Sequence, residues 1–281
     1  MNLLGKNIIL TGAGRGIGRA IALEIARQGG ALALISRSEQ ELQETLNLIH
    51  VVSPASFFIV ADMSKRESVH NAFLFIKKRL DIIDVLINNA GIQGPIGLFH
   101  ENNLDDWEMN LRTNLLGPVV LTHAVLPLMM AQKMGKIINM SGGGATGTRP
   151  NFSAYAVAKT AIVRFTENLA DEYREFNIDI NAVAPGAVNT KMLAEVICSD
   201  KKAGKELAEA IKRQSAGGTD PEIPARLISF LASDASNGIT GKLISAPWDP
   251  WQTEEYCQNL RNDRNLGTLR RIDNKYFIEK S

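Results

Sequence analysis

The segment Asn7-Ile8-Ile9-Leu10-Thr11-Gly12-Ala13-Gly14-Arg15-Gly16-Ile17-Gly18 decides the fold. Asn7 to Leu10 carries an apolar run without polar alternation, which predicts a strand covered on both faces. Four glycines within the next seven residues let the backbone turn tightly and come close to a ligand. Arg19 to Gln28 then has helical spacing (Ile21, Ala22, Ile25, Ala26) and stops at Gly29-Gly30. A strand, a glycine turn and a helix in that order form the site at which a dinucleotide pyrophosphate rests on the amides of a helix N-terminus. Gly12, Gly16 and Gly18 give the spacing G-x-x-x-G-x-G. The better-known G-x-G-x-x-G needs a glycine at 17 or 19, where Ile17 and Arg19 stand.

Outward from this turn, strand and helix patterns alternate. Strands are predicted at 31–35, 56–60, 84–87, 136–140, 178–183 and 243–244. Helices are predicted at 39–49, at about 104–134, at 153–175 and at 221–232. Ser64 with Glu67 three residues on reads as a capping box for a further helix, and Ser153 reads as a helix cap. Such alternation gives a Rossmann-like, doubly wound α/β fold, a parallel sheet of about seven strands with helices on both faces. Residues 1–246 read as a single nucleotide-binding domain that includes a polar helical segment at about 190–217, and 247–281 as an extension docked on it.

The bulk properties restrict the function. Thirty-one basic against thirty acidic residues leave a formal charge of +1, so no strong field favours nucleic acid or an anionic membrane. Two cysteines cannot build a disulfide framework, and a reducing, cytoplasmic setting is expected. The apolar stretch Leu115 to Ala131 contains Pro118, Thr122, His123 and Pro127 and reads as a buried helix. The histidines lie without carboxylate or cysteine at ligand spacing, so no metal site is expected.

An NAD site commonly has Asp or Glu at the end of the second strand. Ser36-Arg37-Ser38 stands there instead, and Arg37 with Arg15 could clamp a 2′-phosphate, so NADP(H) is expected over NAD(H). Asp62, at the end of the third strand, could cap the next helix. Tyr155 and Lys159 lie four apart on a predicted helix, on one face. An ammonium beside a phenol lowers its pKa and makes proton exchange with a carbonyl or hydroxyl oxygen feasible.

Thr11-Gly12-x-x-x-Gly16-x-Gly18, Asn88-Asn89-Ala90-Gly91, Asn114, Tyr155-x-x-x-Lys159 and Pro185-Gly186 together resemble the classical short-chain dehydrogenase/reductase family, from about residue 4 to 245. The resemblance implies that Thr11, Gly12, Gly14, Arg15, Gly16, Ile17 and Gly18 bind the pyrophosphate. It implies that Asp62 and Met63 contact adenine, and that Asn89, Ala90 and Gly91 brace the sheet beside the cofactor. Pro185, Gly186, Val188 and Thr190 would line the nicotinamide, with a lid at about 190–217. Tyr155 would be the general acid or base, Lys159 its partner on the ribose, and Asn114 the holder of a relay water. The implied reaction is interconversion of a small ketone and a secondary alcohol by a homodimer or homotetramer. An isomerase or dehydratase with tightly held cofactor, or a non-catalytic nucleotide-binding regulator, are the alternatives.

Two departures stand out. The family's catalytic serine usually lies thirteen residues before the tyrosine, where this chain has Gly142. Three readings stand: Ser141 reaches the site through the Gly142-Gly143-Gly144 run, Ser153 substitutes, or no serine acts and a substrate hydroxyl or backbone amide serves; Ser141 is the expected residue. The chain also closes on Trp248-Asp249-Pro250-Trp251, whose tryptophans could wall the substrate pocket or bury an oligomer contact.

Overall fold

A computed structural model describes residues 1–272. Seven parallel strands are joined by helical crossovers: β1 Asn7–Thr11, β2 Ala31–Ser36, β3 Phe57–Val60, β4 Val85–Asn88, β5 Gly135–Met140, β6 Ile178–Ala184 and β7 Leu243–Ser245. Their order across the sheet is β3-β2-β1-β4-β5-β6-β7. The chain fills one side of β1 first and then crosses to the other, so Ile9 pairs with Ala33 of β2 and with Leu86 of β4. That reversal leaves a crevice beyond the carboxyl ends of β1 and β4, where ligands of such sheets bind.

The helices are α1 Gly16–Arg27, α2 Glu39–Ile49, α3 Arg66–Lys77, α4 Leu104–Leu111, α5 Gly117–Gln132, α6 Ser153–Glu172, α7 Lys191–Cys198, α8 Glu206–Ser215, α9 Glu222–Ala232 and α10 Glu254–Asn262. Both faces of the sheet are covered because its strands are apolar on both. On one face Ile8, Leu10, Ile138 and Val183 bury with Ile21, Ile25, Leu227 and Leu231 of α1 and α9. On the other, Ile9, Leu86 and Ile137 bury with Val69, Ile76, Leu121, Val125 and Met129 of α3 and α5. The stretch Leu104–Gln132 is long and apolar enough to cross a membrane by length and composition. Here it lies against the sheet through those α5 side chains.

Several local expectations are corrected. Ser64 is not a helix cap: its amide and hydroxyl both donate to Asp62 Oδ1, at 2.9 and 2.8 Å, and α3 starts at Arg66 without a side-chain cap. The local Asx turn takes the hydroxyl that would have capped. Ser153 does not cap α6 either, because its Oγ accepts from Trp107 Nε1 at 3.1 Å and so ties α4 to α6. The α-helix ends at Glu172, and a 3-10 turn, Arg174–Phe176, leads to Asn177 at φ 57°. The helix expected over 104–134 is interrupted by a π-helical turn at Arg112–Leu116, which holds Asn114. Such turns often mark functional positions.

Trp251 lies inside the fold and does not wall a substrate pocket. It is buried against Phe230 at 5.8 Å between ring centroids, and its Nε1 donates to Ala246 O. Trp248 is exposed. Cys257 and Leu260 of α10 bury in the same core as α1 and α9, and Leu243 N donates to Gly267 O at 2.6 Å.

Candidate active site

The glycine turn and β4 are bound into one unit. Thr11 Oγ1 accepts from the amides of Asn89 and Ala90, both at 3.0 Å, and Asn89 Nδ2 donates to the carbonyls of Thr11 and Gly12. Asn88 Nδ2 reaches sideways to Asn139 Oδ1 at 2.9 Å, which locks β4 to β5. The tight approach needs glycine: a methyl on Gly18 would overlap the Gly12 carbonyl outright. Gly12 turns at φ 67° and Gly16 at φ 54°. Arg15 precedes α1 with no side chain capping the helix, so its first amides are available to an anion. Opposite them lies Thr190, whose Cγ2 would be 3.3 Å from a methyl on Gly16. Pro185, Gly186 and Val188 connect β6 to Thr190; Gly186 turns at φ 82° and Val188 is buried. The turn and the segment after β6 thus form two walls of one cradle, and the residues present fit a dinucleotide.

Arg15 and Arg37 lie on the surface beside the glycine turn. Arg15 Nη1 pairs with Glu41 Oε1 at 2.8 Å, and a methyl on Gly14 would lie 2.7 Å from Glu41 Cβ. Arg37 is exposed and makes no hydrogen bond or ion pair among the described residues. The sequence signal for Glu41 was its place one turn into α2, where it also receives the capping of Ser38. Asp62 is half-buried. Burial opposes its charge, yet the bonds from Ser64, with smaller help from Arg37, hold its carboxyl below the usual range. Met63 is buried in the core beneath α3 and α5, and its carbonyl packs against Gly117.

Tyr155 and Lys159 do lie together on α6, both buried. Lys159 Nζ donates to Met140 O at 2.8 Å and sits 5.5 Å from the centroid of the Tyr155 ring. A methyl on Gly91 would lie 2.6 Å from Asn114 Oδ1 and 3.7 Å from Lys159 Nζ, so these two flank the Gly91 backbone. Asn114 is fixed by Asn110 Oδ1 and by both backbone groups of Ile92. Burial pushes Lys159 down to about 8. It also pushes the Tyr155 phenol up, against the Arg149 guanidinium, which pulls it down, while Glu206 adds to the rise. Two cations therefore stand beside the phenol, the Arg149 guanidinium 5.3 Å and Lys159 Nζ 5.5 Å from the centroid of its ring.

The serine register resolves to Gly142. The Cβ direction of Gly142, not a side chain of Ser141, meets the Tyr155 hydroxyl. Ser141 continues the sheet through its amide to Val183 O, and its Oγ is buried with no hydrogen-bond partner. The structure does not join Ser141 to Tyr155, because neighbouring residues on an extended chain point different ways.

Sequence reasoning missed Arg149. Its guanidinium stacks 4.0 Å from the centroid of Phe152 and 5.3 Å from that of Tyr155. Nε donates to both carboxylate oxygens of Glu206, at 3.1 and 2.9 Å, and Nη2 lies 2.9 Å from Oε2. With the Gln93 amide oriented by its network, its oxygen accepts from Nη1 at 2.6 Å and Nη2 at 3.0 Å. The 190–217 segment closes over this corner: Leu193, Val196, Ala203 and Ala210 bury against Phe152 and Tyr155, which is 6% exposed.

The family model for short chain dehydrogenases matches residues 6–200. The chain belongs to the short-chain dehydrogenase/reductases. The oxidoreductase UcpA of Escherichia coli K12 is 36% identical over 245 residues, covering 85% of this enzyme and 92% of that one. The structure resembles a putative NAD(P)-dependent gluconate 5-dehydrogenase from Beutenbergia cavernae, solved with bound NADP, at TM-score 0.78 and 32% identity over 87% of this chain and 96% of that chain. It also resembles NAD+-bound xylitol dehydrogenase, at TM-score 0.81 and 27% identity over 87% and 98%. The enzyme is thus an NAD(P)-dependent oxidoreductase of a parallel Rossmann-like sheet.

Proposed function

We propose that the enzyme interconverts a ketone and a secondary alcohol with NADP(H), and that the Tyr155 hydroxyl handles the proton of the reacting oxygen. The observation that carries this reading is the convergence of Tyr155, Lys159 and Asn114 on the Gly91 and Gly142 backbones, at the edge where the glycine turn leaves α1 uncapped. Nicotinamide bound there supplies or takes the hydride. The first amides of α1, with Thr11 to Gly18, hold the pyrophosphate. Thr190 and the segment from Pro185 hold the nicotinamide end. Tyr155 donates its proton in reduction and accepts one in oxidation. Lys159 keeps its own proton at pH 7, holds the ribose and passes protons towards the water beside Asn114. Gly142 leaves the Tyr155 phenol as the one side-chain hydroxyl at the reacting oxygen. The packed lid excludes water from that proton transfer.

Exposed Arg37 supports NADP(H). The gluconate and xylitol dehydrogenase neighbours are named for polyhydroxylated substrates, which supports a small hydroxylated alcohol or acid. Leu104, Leu116 and Val157, exposed at 66, 50 and 48%, support assembly into a dimer or tetramer through α4, the π-helical turn after it and α6. NADPH oxidation with a panel of ketones tests the reading. Turnover supports it, whereas tightly retained cofactor without net redox change would favour an isomerase or dehydratase.

A further inference from the structure

We infer that, granted the carbonyl chemistry proposed above, Arg149 selects a substrate that carries a carboxylate, and that Glu206 occupies the carboxylate position while the lid is closed without substrate. Arg149 belongs to none of the motifs that define the nucleotide site, yet it stands in the space where substrate must lie. Three surfaces meet there: Gln93 after β4, the Gly142-Gly143-Gly144 run after β5, and α8 of the lid. The guanidinium lies 3.7–3.8 Å from where a methyl on Gly143 would be, one residue from the Gly142 backbone that meets the Tyr155 hydroxyl. One small molecule can therefore touch both Tyr155 and Arg149.

The fork already holds a carboxylate. Glu206 takes Nε and Nη2, a two-nitrogen grip that suits a planar carboxylate. The other partners come from elements outside the lid: Gln93 accepts from Nη1 and Nη2, and the Phe152 ring stacks on the plane. Tyr155 is too enclosed for substrate to reach it with α7 and α8 in this position. Lifting α8 withdraws Glu206 and leaves the guanidinium held by Gln93 and Phe152 beside the phenol. A largely buried guanidinium stripped of its anion is unfavourable. A neutral ketone would leave it so, whereas an oxo acid replaces Glu206 with its own carboxylate. The carbonyl then meets Tyr155 and the carboxylate meets Arg149, which fixes which end of the molecule faces the nicotinamide.

The experiment compares pyruvate, acetoacetate and levulinate, each with its methyl ester, on the NADP-loaded enzyme. It measures binding by tryptophan fluorescence with NADP+, and kcat/KM by NADPH oxidation. At least one acid is expected to bind and to react at least tenfold better than its ester. Arg149→Met is expected to reduce that acid-to-ester ratio at least tenfold, and Arg149→Lys to restore part of it. Glu206→Gln, which removes the internal competitor, is expected to lower the KM of the acid severalfold relative to the ester. It keeps the question open to refutation if Arg149→Met does not fold. Acids and esters handled equally by the wild type, or both weakened equally by each substitution, would overturn the inference and leave Arg149–Glu206 as a latch. Preferential acid binding without NADPH oxidation would support Arg149 as a carboxylate site and count only against the carbonyl reduction.

Discussion

Gly142→Ala places the smallest possible side chain against the Tyr155 hydroxyl. The added methyl would sit 3.2 Å from both Cε1 and Cζ of Tyr155 and would overlap the hydroxyl oxygen. Restoring van der Waals contact requires a displacement of about 1 Å. The ring has little room to give it, because Phe152 and the lid residues Leu193 and Val196 bury it. The φ of Gly142 is outside the left-handed region, so the effect is steric and not a backbone penalty. Overpacking of this kind costs about 1–3 kcal/mol. For a chain of this size that lowers Tm by roughly 2–4 °C per kcal/mol. A reactive group displaced by about 1 Å can lose about 100-fold in rate. Gly142→Ala should therefore lower Tm by several degrees in a thermal melt and kcat by ten- to a hundredfold in NADPH oxidation. Gly142→Ser, although it supplies the hydroxyl usual at this place, should not exceed the wild type. A Gly142→Ala enzyme with wild-type Tm and kcat would refute the placement of Gly142 against the phenol.

The remaining outcomes concern charge, cofactor and assembly. Lys159 sits at about 8 when folded and near 10.5 when unfolded, so the unfolded chain binds more protons between those values and stability rises with pH across that window. Lys159→Met should remove that rise, worth about 3 kcal/mol at most, in pH-dependent denaturation, and reduction by the wild type should decline as Lys159 loses its proton above about pH 8. Arg37→Glu should raise the KM for NADPH at least tenfold relative to that for NADH in steady-state kinetics. An unchanged ratio would remove Arg37 from the 2′-phosphate site. Val157→Asp with Leu116→Asp should shift the assembly towards monomer by light scattering.

Much of the fold was legible because it rests on short-range pattern. Apolar runs without alternation marked strands buried on both faces, and the four glycines marked the turn where α1 and β1 approach closely. Asn89 was expected beside the cofactor only through the family resemblance, and its bonds to Thr11 became visible in the structure. The failures came from partners distant in sequence. Arg149 lies in a loop of glycine, threonine and proline with no period to betray it, and Glu206 meets it from 57 residues away. The Arg15–Glu41 pair likewise joins residues 26 apart that no local pattern links. Which of the adjacent Ser141 and Gly142 faces Tyr155 depends on direction, and direction at a strand end follows from the sheet and not from residue type. Ser64 and Ser153 carried sound capping signals and were claimed by Asp62 and Trp107 instead.

Tyr155 carries the central claim, and Tyr155→Phe tests it most directly. The substitution removes one oxygen and keeps the ring that packs beneath the lid. NADPH binding, followed by its fluorescence, should remain close to wild type, while kcat for ketone reduction should fall by at least about 100-fold. Ketone reduction by Tyr155→Phe at the wild-type rate would contradict the account.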